Sequence, residues 1–221
     1  MNVLSIDIDY ITTNEDFAQV VDLFCSSVFL NKNAQVKFAQ YHVDIVDFLH
    51  DNYEEFFIVN VDLHHDIIYD EIVDPAEIRN DLVDSGNWLG WACAHRRIKK
   101  YIWCKNDNSE AFDAELSKAF SDLYSKGKNY DVIDARNVIF SSKLASQQLL
   151  NENYLKFKPK IEVEHKIKDY FFDIKYDKIF VCLSPDYTHK EKYFYYDALK
   201  NIYGNFKKAE NQKKISKQNR A

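Results

Sequence analysis

Short apolar runs alternate with helical patterns along the first half of the chain. Val3-Leu4-Ser5-Ile6 and Phe56-Phe57-Ile58-Val59 read as buried strands, and each stops abruptly at carboxylates. Thr12-x-x-Glu15 has the form of a capping box, with Phe17, Val20, Val21, Phe24 and Val28 following at helical spacing. Ala34 to Ala39 predicts another strand, and His42 opens an amphipathic helix carrying Ile45, Val46, Leu49 and Tyr53. Asp74-Pro75 starts a helix that Ser85-Gly86 ends. Asn87-Trp88 begins the next, in which Trp88, Trp91, His95 and Ile98 share a face.

Tyr101 to Cys104 is a short predicted strand, and Ser109 caps a helix closed by Gly127. Strand-like runs recur around Val132, Val138, Ile161 to Val163 and Phe171, in an order the pattern leaves open. Lys178 to Leu183 is the last clear strand, followed by a helix from about Thr188 to Lys207 carrying Tyr193, Tyr196, Leu199 and Tyr203. The alternation predicts an α/β fold, a three-layer α/β/α arrangement around a mostly parallel sheet. Residues 1–208 form one expected domain, and the basic stretch 209–221 reads as a disordered tail.

Composition narrows the picture little. At 221 residues the chain can bury one substantial core. A net charge of −6 argues against a general nucleic-acid binder. No apolar run approaches membrane-spanning length and no signal peptide precedes Leu4, so the expected setting is the cytoplasm, with no membrane partner. Cys25, Cys93, Cys104 and Cys182 are scattered without a Cys-x-x-Cys pair, which predicts reduced thiols.

The strand ends carry the candidate chemistry. Asp62, His64 and Asp66 lie at i, i+2 and i+4, on one face of an extended chain, and Asp7 and Asp9 repeat the spacing. His42 follows the intervening strand, where α/β sheets place functional groups, although such a histidine taken alone is more often a surface or capping residue. In a parallel sheet these ends fall along one edge. Four carboxylates and two imidazoles suit two divalent ions, which make water a nucleophile at neutral pH. Oxygen-rich donors with one imidazole per ion favour Mn²⁺, two per chain, with Fe²⁺ or Zn²⁺ as alternatives.

Ser5-Ile6-Asp7-Ile8-Asp9 resembles the Ser-x-Asp-x-Asp motif of the arginase (ureohydrolase) superfamily, and Asp62-Leu63-His64-His65-Asp66 resembles its Asp-Ala-His-x-Asp motif. Ser85-Gly86-Asn87-x-x-Gly90 is similar to that family's substrate-contacting Ser-Gly-Asn-x-x-Gly segment. The order is permuted, with Ser-x-Asp-x-Asp first. Together with Asn87-Trp88 and the late Ser184-Pro185-Asp186, it looks like the branch that includes the peptide arginases.

The resemblance implies an arginase/deacetylase-like fold and hydrolysis of a guanidino compound or an arginine-containing peptide, giving ornithine and urea. It implies that Asp7 and Asp62 bridge the ions and act in catalysis. Asp9 and His64 would complete one ion, and His42 and Asp66 the other. Leu89 stands where arginases carry a proton-shuttling histidine, so His65, His95 or the solvent would have to substitute. Asn87 and Ser184 are candidates to orient substrate, and Asp186 or Glu164 to bind the guanidinium. Three other readings stay open: a deacetylase-like amide hydrolase, a metal-stabilised binding protein without activity, and an α/β domain whose Asp-x-Asp motifs are coincidental. Oligomeric state is open as well.

Overall fold

The structure is a computed structural model that describes residues 1–49, 55–66, 85–86, 88–89, 92, 97–109, 130–134, 137–140 and 160–218. Its centre is a sheet of eight strands: β1 (Asn2–Asp7), β2 (Gln35–Ala39), β3 (Glu55–Val61), β4 (Arg97–Lys105), β5 (Tyr130–Asp134), β6 (Asn137–Phe140), β7 (Lys160–His165) and β8 (Lys178–Cys182). The order is β2-β8-β1-β3-β4-β7-β6-β5. The pairs from β2 through β7 are parallel, and β6 and β5 extend that edge antiparallel. The expected α/β fold with a mostly parallel sheet is therefore present.

Alternation along the central strands decides what each face holds. Leu4, Ile6, Val59, Val61, Ile179 and Val181 point to one side, where they pack with Val20, Leu23, Phe24 and Val28 of α1 (Asn14–Leu30). Tyr195, Tyr196 and Leu199 of α3 (Tyr193–Gln218) close the same core. Full burial of a side chain such as Phe24 or Leu199 stabilises the fold by about 1.5–3 kcal/mol. The other side presents Ser5, Asn60, Trp103 and Phe180 in register on adjacent strands. There Phe180 meets the His42 and Phe48 rings near α2 (Ile45–Phe48), and Trp88, from a helical turn, meets His42 and Tyr101. Helical elements thus cover both faces, giving three layers.

Several local expectations need correction. The capping box is one residue later: Thr13 is the N-cap and Asp16 its partner, with the Asp16 carboxylate also taking the Thr12 hydroxyl and amide. After His42 the chain forms a 3₁₀ turn (His42–Asp44) and the single turn α2 rather than a long helix. Ile98 lies in β4, not on a helix face with Trp88, because β4 pairs with β3 from Arg97 onward, ahead of the apolar run. Phe171 sits in a 3₁₀ turn (Asp169–Asp173) and not in a strand, its ring inserted into the core.

The expected disordered tail is helical as far as Gln218. Lys, Glu, Gln and Ala are good helix formers, and no Pro or Gly interrupts them after Gly204, so α3 simply propagates. The helix after Asp74-Pro75, the one after Ser109, and Tyr53 and Trp91 lie outside the described residues. No helix among the described residues is long and apolar enough to cross a membrane.

Candidate metal centre

The site forms where β1, β3 and β8 end, next to the 3₁₀ turn that follows β2. Asp7 is the last residue of β1 and N-cap of the 3₁₀ turn Ile8–Tyr10, its Oδ1 accepting from the Asp9 amide at 3.1 Å. Asp9 therefore leaves the strand, contrary to the extended i, i+2 expectation. Asp62 does the same past β3: its Oδ1 accepts from the His64 amide at 2.9 Å and bends the chain. Asp66 follows with a φ of 52°, in the left-handed region. Asp side chains compete for nearby backbone N–H groups and end strands in this way. The bends, not a shared strand face, send His64 and Asp66 to opposite ends of the cluster.

Two donor groups result. In the first, His42 Nδ1 lies 3.2 Å from Asp7 Oδ2, 3.2 Å from Asp62 Oδ2 and 3.0 Å from Asp66 Oδ2. In the second, His64 Nδ1 lies 2.9 Å from Asp9 Oδ2 and 3.8 Å from Asp62 Oδ1. Asp62 faces both groups, one oxygen to each, while Asp7 belongs to the first. Donors about 2.1 Å from one ion, at right angles around it, stand about 3.0 Å apart. The distances from His42 Nδ1 match that spacing, and Asp7, His42 and Asp62 form one compact set, with Asp66 Oδ2 beside His42. Asp9 Oδ2 points the same way: it is buried and accepts no hydrogen bond among the described residues, although His64 Nδ1 is close. Each of the two groups could hold a metal ion.

The electrostatics fit as well. Burial, then the Asp66 and Asp7 charges, push Asp62 up to about 7 against the pull of His42. Burial, Asp7 and Asp62 hold Asp9 well above the usual carboxylate range. Burial alone would depress both histidines. The Asp66 charge and the hydrogen bonds of its carboxylate neighbours instead raise His42 well above the ordinary imidazole value, and Asp9 leads the groups that raise His64 to about 10. Without cations, protons must offset the gathered carboxylates.

Residues that the sequence reading passed over hold the ligands in place. Ser5 Oγ lies 2.9 Å from His42 Nε2, so a proton on Nε2 leaves the Nδ1 lone pair facing the carboxylates. Asn60 Nδ2 donates to Asp62 Oδ2 at 3.0 Å, to Asp66 Oδ2 at 3.4 Å and to the Tyr101 hydroxyl at 2.9 Å. Tyr101 passes its own proton to the His65 carbonyl. Trp88 Nε1 donates to Asp66 Oδ2, and Trp103 Nε1 to the Asp62 carbonyl. A signal existed for two of these residues. Ser5 and Asn60 stand two residues before Asp7 and Asp62, and strand alternation puts them on the site's face.

The other candidates are placed less centrally. Ser184, with a φ of 46°, gives its hydroxyl to Asp7 Oδ2 and lies against Cys182 Sγ. Asp186 is exposed on the following turn, and Glu164, on β7, takes the Tyr170 hydroxyl. His65 is buried edge-on against Trp103, and burial followed by the charge of His64 lowers it to about 3. Leu89 is buried, its amide donating to the Asp66 carbonyl. Asn87 and His95 lie outside the described residues.

Comparison of the chain with protein families, with curated proteins and with solved structures finds no match.

Proposed function

We propose that this chain is an arginase-like, binuclear-metal hydrolase that converts arginine, free or within a peptide, to ornithine and urea. One observation carries the reading: Asp62 stands between two donor groups, each with its own histidine. The permuted pair of acidic motifs supplies the guanidino specificity of the proposal. Asp7, His42, Asp62 and Asp66 would hold one ion, and Asp9, Asp62 and His64 the other, with Mn²⁺ suited to donors so rich in oxygen. Such ions supply Lewis acidity and lower the pKa of water.

The chain's own contribution is placement. Ser5, Asn60, Trp88 and Ser184 fix the ligands, and the His42, Phe180 and Trp88 rings wall one side against water. Hydrolysis adds water to the guanidinium carbon, breaks its bond to the side-chain nitrogen and delivers a proton to the departing amine.

Elemental analysis of protein purified with Mn²⁺ tests the centre, with two ions per chain expected. Urea release from arginine and from arginine-containing peptides tests the reaction. Metal without urea on any guanidino substrate would turn the reading toward amide hydrolysis or a metal-stabilised binding role. Absence of stoichiometric metal would remove the hydrolase altogether.

A further inference from the structure

The two halves of the centre differ in access. The His42 side chain is 2% exposed beneath Phe180 and Trp88, whereas that of His64 is 30% exposed. Among the described residues of the cluster, His64 is the one that reaches the surface. Tyr187 stands beside it, 61% exposed, its ring centroid 5.2 Å from that of His64 and tilted by 58°.

The position of Tyr187 is built. Ser184 adopts a left-handed conformation, and its carbonyl accepts from the amides of Tyr187 at 3.0 Å and Thr188 at 2.9 Å. Its hydroxyl is bound to Asp7, and its amide to the Gln40 carbonyl. The turn that presents Tyr187 is thus tied directly to a ligand of the centre. An exposed tyrosine on such a turn offers an aromatic face to a planar cation arriving at an acidic cluster.

We infer that Tyr187 is the residue that selects a guanidinium, stacking on it at the His64 side of the site. This rests on the guanidino reading above and deepens it. A neutral group of the same shape gains nothing from the ring's negative face, so Tyr187 favours arginine over citrulline and disfavours acyl-amide substrates.

The probes are acetyl-arginine amide and its neutral near-isostere acetyl-citrulline amide, titrated calorimetrically into Mn²⁺-treated wild type, Tyr187→Ala and Tyr187→Phe. Tyr187→Ala should weaken arginine binding about tenfold. It should leave the citrulline affinity unchanged, and Tyr187→Phe should retain the arginine preference. Equal arginine affinities in wild type and Tyr187→Ala would overturn the inference, as would a wild type with no affinity for the arginine probe. Metal content measured on the same samples keeps the two questions apart. Two ions retained with no effect of Tyr187 condemns the stacking role alone, whereas a metal-free wild type condemns the hydrolase reading.

Discussion

The Trp88 indole donates to the Asp66 carboxylate at 2.7 Å, inside a buried pocket. The same Asp66 oxygen lies 3.0 Å from His42 Nδ1. Trp88 therefore orients a ligand oxygen, and Trp88→Phe keeps most of the ring while deleting that hydrogen bond. Mn²⁺ affinity, read by calorimetry, should fall about 10–100-fold. The metal-free protein should lose about 1–3 kcal/mol in chemical denaturation.

Asp62→Asn separates binding from folding. Four buried carboxylates repel one another, and Asp62 is pushed up to about 7 partly by Asp66 and Asp7. Removing its charge relieves that repulsion while deleting the oxygen shared between the donor groups. The amide keeps one oxygen for two donors, the His64 amide and Asn60 Nδ2, so in chelator that lost bond offsets the relief, and elemental analysis should find the metal gone. Wild-type metal content in Asp62→Asn would refute the shared-ligand geometry.

The centre should respond to pH with a definite sign. The folded pKa of Asp62 is raised to about 7 from 3.8, so its stabilising contribution is complete below about 4 and fades as pH rises through 7. His64 is raised to about 10 from 6.5, so its contribution is present below 6.5 and is lost as pH climbs toward 10. Both make the metal-free fold weaker with rising pH. Cations must displace those protons, so the Tm increase from saturating Mn²⁺ should grow from about pH 5 to about pH 8. A constant or shrinking increase would contradict this account.

Deleting residues 209–221 should cost helix but not the fold. The side chains described between Asn211 and Gln218 are exposed, and the α3 residues in the core end at Phe206. Far-UV circular dichroism should register the lost turns while the melting temperature moves by no more than a degree or two. A large drop would mean that the end of α3 packs on something. Leu199→Ala is the contrasting control, because a fully buried leucine in the α1–α3 core should cost about 2–5 kcal/mol.

The alternation of apolar residues determined much of this protein by itself. Leu4 and Ile6, Val59 and Val61, and Ile179 and Val181 follow the two-residue period of buried strands, and α1 follows the helical one, because both periods are local geometry. The six metal-ligand candidates were legible for the same reason: polar residues interrupt those runs where burial would otherwise leave them uncompensated.

Pairing was not legible. Inserting β8 between β2 and β1 brings Ser184 to Asp7 across the whole chain. Nothing near Ser184 in sequence encodes that neighbour, since sheet order depends on hydrogen bonds between distant strands. The division of the donors between two groups likewise depends on the bends after Asp7 and Asp62, where side chains capture backbone amides that an ideal strand would leave to its partner, and on the left-handed Asp66. Trp88, read as one helix-face aromatic among several, becomes a hydrogen-bond donor to Asp66 only when packed beneath the sheet. The sequence determined which residues gather at the strand ends; the tertiary structure decided which ones touch, because contact between distant segments is settled by the packing of the whole sheet.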